Sequence, residues 1–148
     1  MKISTKGRYG LRIMLDLASH SADRLRLIRD IAHSEQISEK YVSRLVIELR
    51  RAGMVTSIRG ARGGLRIAKR PEEITLLEIV EAMEGPLAIV ECVETADICP
   101  RSSFCETRKV WRQLNSDIRE LMGKVTLADI KGKRVDTGKD NPDFPSMC

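Results

Sequence analysis

Aromatic residues are scarce in this chain: two Phe, two Tyr and one Trp make up 3% of its 148 residues. Proteins that hold single-stranded nucleic acid stack its bases on exposed rings, so that class of partner fits poorly. No apolar run approaches the ~20 residues of a membrane-spanning helix. Residues 1–10 carry charge with no apolar segment after them, so neither an anchor nor an export leader is expected, and a cytoplasmic location is. The motifs of phosphate-cradling loops, dinucleotide folds, zinc proteases and serine hydrolases are all missing. No catalytic residue can be named, and the chain does not read as an enzyme. The remaining composition, 42% hydrophobic and 32% charged, belongs to a soluble globular protein with room for one domain plus an extension for oligomerisation.

Charge is distributed unevenly. Residues 1–70 hold 16 Lys+Arg against 6 Asp+Glu, a net of +10, whereas residues 71–148 hold 10 against 15, a net of −5. A basic half is the electrostatic footprint of a phosphate-binding surface, because neutralising phosphates releases condensed counterions.

Periodicity divides the chain into helices and a small hairpin. Residues 6–21 form a first helix with Leu11, Met14, Leu15 and Ala18 as its apolar stripe, and residues 27–34 a second with Leu27, Ile28 and Ile31 inside. Ser38 is placed to cap a third helix. In it, Val42, Leu45, Val46 and Leu49 recur at helical spacing and leave Lys40, Tyr41, Ser43, Arg44, Arg50 and Arg51 largely on the other side. Two strands, 54–58 and 65–68, flank the loop Arg59-Gly60-Ala61-Arg62-Gly63-Gly64. A helix-turn-helix followed by a strand, a basic glycine-rich tip and a strand is the layout of a winged helix. Arginine on a narrow tip suits the minor groove. Candidate contacts to a double-stranded DNA operator are therefore Ser38, Lys40, Tyr41, Ser43 and Arg44 on the recognition helix, with Arg59, Arg62 and Gly63 on the wing.

Thr75 and Glu78 form a capping box that opens a helix over 76–84, with Leu76, Ile79, Val80 and Met83 buried and Gly85-Pro86 as its stop. Residues 87–104 lack a period and read as a loop. From 105 to about 124 a long helix is apolar at Val110, Trp111, Leu114, Ile118, Leu121, Met122 and Val125, and the helix of a second subunit is the preferred cover for that stripe. The expected organisation is a winged helix-turn-helix domain at 1–86, a cysteine-bearing loop at 87–104, a dimerisation helix at 105–130 and a flexible tail at 131–148. The fold class is mainly α with a small β-wing.

Cys92, Cys99 and Cys105 lie within fourteen residues, with six residues between the first two and five between the last two. Structural zinc usually takes paired C-x₂₋₄-C knuckles, which these gaps do not supply. An iron–sulfur cluster, 2Fe-2S or 4Fe-4S, tolerates wider spacing. Three thiolates leave one position open. Cys148, His20, His33, Glu91, Glu94, Asp97 and Glu106 are the fourth-ligand candidates by residue type.

The opening MKISTKGRYGL, the segment ISEKYVSRLVIELRRAGMVTSIRGARGGLRIAK, the helix ITLLEIVEAMEG and the cysteine triplet before a Trp-bearing helix resemble the IscR-like winged-helix transcriptional regulators, which include NsrR and CymR. The resemblance spans residues 1 to about 130. It implies a homodimer crossed by the long C-terminal helices, reading a palindromic operator, with Arg59 entering the minor groove. It also implies iron held by Cys92, Cys99 and Cys105 in relatives that carry a cluster. Two positions depart from it. Where IscR proteins place a histidine ligand this chain has Arg108, which is always protonated and cannot ligate iron. Where NsrR-like members supply an aspartate from the partner's first helix it has Arg8. His33 of the partner subunit, a loop carboxylate or an exogenous ligand would then complete the site. Ser43 stands where IscR has an acidic residue, so the operator preference does not transfer. The expected function is that of a homodimeric DNA-binding regulator of transcription that senses cluster status, iron, redox or nitric oxide through the cluster. The alternatives are a cluster-free repressor of CymR type, controlled by its thiols or by a partner enzyme, and a protein-interaction module that does not bind DNA.

Overall fold

Local chemistry sets the helix ends. The structure, a computed structural model, describes residues 2–20 and 24–132. Over these residues the elements run α1 (Thr5–Ser19), α2 (Ile28–Glu35), α3 (Glu39–Arg51), β1 (Val55–Ile58), β2 (Gly64–Ile67), α4 (Leu76–Glu84), α5 (Glu91–Glu94), α6 (Glu106–Lys124) and α7 (Leu127–Gly132). Single 3₁₀ turns occur at Pro71–Glu73 and Ala96–Ile98. Ser4 caps α1 by accepting from the amide of Lys6, and Ser38 caps α3 by accepting from that of Tyr41. Gln36, in the left-handed region at φ 54°, turns the chain from α2 into α3. The capping box of Thr75 and Glu78 is formed in both directions, with amide–oxygen distances of 2.8 and 3.2 Å.

One core gathers Ile13, Met14 and Leu17 from α1, Ile31 from α2, the expected Val42, Leu45, Val46 and Leu49 from α3, Val55 and Leu65 from the wing, and Ile79 and Met83 from α4. The α1 stripe differs from expectation. Met14 and Ala18 are buried, but Leu11 and Leu15 are only half-buried, and Ile13 and Leu17 take the central places. α1 touches α2, α3, α4, α7 and β2, so its covered arc is wider than the single stripe of a surface helix. Gly7 and Gly10 allow the approach to α4: a Cβ on Gly10 would fall 2.6 Å from Met83 Cγ, and one on Gly7 the same distance from a Glu84 carboxylate oxygen. That oxygen accepts from the Ser4 amide, the Ser4 hydroxyl and the Gly7 amide at 2.7–3.0 Å. Leu27, expected inside, is the N-cap of α2 and 36% exposed.

β1 and β2 pair antiparallel from Val55↔Ile67 to Ile58↔Gly64. Arg26 adds a third, one-residue rung, exchanging both backbone bonds with Leu65 at 2.8 Å. Its side chain reaches the other way: Nε and Nη2 donate to the two Asp16 oxygens at 2.8 and 2.9 Å, and the Ser34 hydroxyl donates to Asp16 at 2.6 Å.

The C-terminal part departs most from the sequence reading. α6 stops at Lys124, and residues 125–127 pair with 74–76 through Leu76 N–H to Val125 O and Leu127 N–H to Ile74 O, both 2.8 Å. Thr126 and Asp129 then cap α7. Leu127 is fully buried in the main core, and the Lys131 ammonium donates to Ala18 O at 2.6 Å. The boundary expected at 130/131 thus falls inside α7. The remainder of the proposed tail, with Cys148, lies outside the described residues.

Burial pushes the Asp16 carboxyl up, but the hydrogen bonds of Arg26 and Ser34 and the nearby charge of Arg26 and His20 outweigh it and hold the group below its ordinary value. Such a carboxylate contributes stability fully above its unfolded pKa of about 3.9, and the contribution disappears as pH falls through the lower folded value. Replacing Asp16 by Ala leaves the largely buried Arg26 guanidinium without its carboxylate partner and should cost about 3 kcal/mol in urea unfolding at pH 7. The gap between variant and parent should close as the pH is lowered below about 4.

Candidate nucleic-acid interface and cysteine loop

α3 presents its buried residues to the core and turns Lys40, Arg44, Ile47, Arg50 and Arg51 outward, all exposed. The candidate residues on it divide by what their side chains already hold. Lys40 and Arg44 are exposed and make no hydrogen bond or ion pair among the described residues. The Ser38 hydroxyl is occupied in capping, and that of Ser43 donates to Glu39 O at 2.8 Å. The Tyr41 ring meets Tyr9 edge to face at 5.9 Å between centroids, so it packs α3 onto α1 and only its margin faces out. On the wing, Arg59 and Arg62 are exposed at the tip. Gly63 is required sterically: a Cβ there would lie 2.3 Å from Ile58 O, and its amide donates to Gly60 O at 2.9 Å to close the turn. Between α3 and β1 runs a cleft of about 580 Å³ walled by Ile47, Arg50, Arg51, Thr56 and Ser57.

The three cysteines are half-buried free thiols on the segment between α4 and α6. Cys92 lies in the one-turn helix α5, Cys99 follows the 3₁₀ turn, and Cys105 is the N-cap of α6. Among the described residues, no three His, Cys, Asp or Glu side chains stand close enough together to hold a metal ion. The donor types suit iron, but their arrangement does not form a site. Arg108 holds the loop instead: its Nε donates to Cys92 O at 2.6 Å and its Nη1 to Ser102 O at 3.4 Å. Asn115, 6% exposed, takes the amide of Ile89 on Oδ1 at 2.9 Å and anchors the loop's beginning. The Thr107 hydroxyl lies 3.1 Å from Cys105 Sγ and, with the Arg108 and Thr107 amides and the charge of Arg101, keeps that thiol below its usual range. His33 is exposed in the last turn of α2, away from the cysteine segment in sequence.

α6 has two sides. Val110, Trp111, Leu114 and Leu121 are 58, 40, 43 and 66% exposed, an uncovered stripe. Met122, expected in that stripe, is instead buried with Val80 and Leu87 of its own chain, with Ile118 packed beside it. Arg119 pairs with Glu81 on α4 on the same side. Arg108 and Asn115 were not legible as loop anchors, because polar residues on a mostly polar helix carry no sign of which backbone they will meet.

The profile of the Rrf2 family, described as an iron-dependent transcriptional regulator, matches residues 3–133. Protein rrf2 of Nitratidesulfovibrio vulgaris is 40% identical over 88% of this chain and 87% of its own. The HTH-type transcriptional regulator CymR of Bacillus subtilis is 38% identical over 88% and 89%, and the structure of CymR, the global cysteine regulator of that organism, superposes with a TM-score of 0.73 over 88% and 96%. IscR of T. potens superposes with a TM-score of 0.70 at 35% identity over 88% and 85%. Among the described residues no helix is long and apolar enough to cross a membrane. A helix-turn-helix with a wing, a cysteine segment and a long half-covered helix, matched nearly end to end, make this chain a member of the Rrf2 family of transcriptional regulators.

Proposed function

We propose that the protein is a homodimeric regulator of transcription that grips a double-stranded DNA operator with α3 and the wing and takes its signal through the cysteine loop. The observation that carries the reading is the outward face of α3, where Lys40, Arg44, Arg50 and Arg51 are exposed, beside a wing tip bearing Arg59 and Arg62. Such a surface neutralises phosphates on both sides of a groove. The stripe Val110, Trp111, Leu114 and Leu121 supports pairing of two copies through α6, the assembly that a palindromic operator requires. We divide the chain into a DNA-facing unit to residue 86, joined by α7, then the cysteine loop, then α6.

For the signal, the arrangement of Arg108 favours a loop that works through its thiols. The guanidinium bridges Cys92 O and Ser102 O, the stretch that a cluster would have to draw together. Control by oxidation or by a partner protein then acts on a loop already ordered. A second reading keeps the iron–sulfur cluster on Cys92, Cys99 and Cys105. It is favoured by the order and spacing of the triplet and by the likeness to IscR, and it requires Arg108 to release the loop.

Duplex binding should weaken steeply with salt, and Arg44→Ala should cost about 1–3 kcal/mol and relax selectivity at one base pair, as read by titrations at several salt concentrations; no duplex binding even at low salt would point to the protein-interaction alternative. Protein reconstituted anaerobically with iron and sulfide should stay colourless in the thiol reading, and mild peroxide should leave a sulfenate or disulfide on Cys92, Cys99 or Cys105 that alters operator affinity. A brown protein with stoichiometric iron and acid-labile sulfide would establish the cluster instead.

A further inference from the structure

The helix that most needs to be polar on its free side carries an isoleucine there. Ile47 is 45% exposed, and at 3.6 residues per turn it stands opposite the buried face made by Val42, Leu45, Val46 and Leu49. Lone exposed apolar residues are ordinary on protein surfaces. This one is distinguished by its place: Arg44 lies three residues before it, Lys40 seven before and Arg51 four after, so all four share one exposed face. It also lines the α3–β1 cleft, whose polar walls are Arg50, Arg51, Thr56 and Ser57 and whose remaining lining is Gly53, Val55 and Ala68. A β-branched side chain on a helix is nearly fixed at χ1, so it meets a partner with little loss of freedom. The cations around it favour a polyanion over an apolar protein surface.

We propose that Ile47 is a base-reading residue whose side chain packs on the C5-methyl group of a thymine at one position in each operator half-site. The inference rests on the DNA-binding reading above and deepens it by naming a base. In the major groove only thymine offers a methyl group, and that methyl is the one apolar projection that an isoleucine can cover there. The flanking charges fit the rest of the strand. With α3 in the major groove and the wing in the minor groove, the sugar–phosphate backbone between them runs along the cleft, past the Arg50 and Arg51 cations and the Thr56 and Ser57 hydroxyls.

The test begins with duplexes selected from a random pool by the full-length protein. Each thymine of the selected half-site is then replaced by deoxyuridine, which removes the methyl and nothing else. At one position, symmetric in the two half-sites, the parent should lose about fourfold in affinity per half-site, the equivalent of ~0.8 kcal/mol for one buried methyl-sized group. Ile47→Ala should bind the thymine and deoxyuridine duplexes equally at that position and respond like the parent at the others. The substitution is at an exposed site and improves helix propensity, and a circular dichroism spectrum matching the parent's checks that the fold is kept. The proposal fails if no thymine is sensitive, or if Ile47→Ala remains as sensitive as the parent. If the parent selects no duplex at all, the DNA-binding reading fails with it, a result distinct from selection that is indifferent to the methyl.

Discussion

A single carboxylate, that of Asp16, fixes the relation between the helices and the wing. It sits near the end of α1 and takes the Arg26 guanidinium and the Ser34 hydroxyl, which brings in the single bridging residue before α2 and the last turn of α2. Arg26 is also a backbone partner of Leu65 in β2. One side chain and its own main chain therefore lock α1, α2 and the wing to each other. Since α3 packs on the same core, the distance from recognition helix to wing tip follows from that lock. A buried ion pair adds little net stability compared with a well-packed apolar pair, but it tolerates very few geometries.

How legible these features were depends on how local their causes are. The cap at Ser38, the α3 stripe, the capping box of Thr75 and Glu78 and the basic wing loop each depend on residues within one or two turns, and the sequence displays all of them. The rest depends on distant neighbours. α1 is surrounded on most sides, so its buried arc does not reduce to one stripe. Nothing in Val125, Thr126 and Leu127 announces that they will pair with residues near Ile74, and α7 is too short for periodicity to signal it. Met122 and Leu121 are adjacent in sequence and equally apolar, yet one is buried in its own chain and the other is open.

In the cysteine loop the residue types were legible and the arrangement was not. The triplet suggests iron by spacing, and Arg108 entered only as the residue that cannot ligate it. In place, Arg108 is the organiser, meeting two loop carbonyls that a histidine could not span in the same way. Asn115 supplies a second fixed point at Ile89. The loop is thereby tied to the very helix whose other side is left open.

The return of the chain after α6 carries a mechanical consequence. The helix is pinned to the first part of the molecule at Glu81 through Arg119 and beyond its end by the rungs at Ile74 and Leu76. Nineteen residues give it a length of about 28 Å, and neither fastening is a flexible tether. In a pair of chains joined along α6, a few degrees of rotation at the seam would swing each reading head through an arc proportional to that lever arm. Such a pair would behave as calipers whose jaws are set at the hinge, so that a small disturbance beside Cys105 would be felt at the distance of a helical turn of DNA.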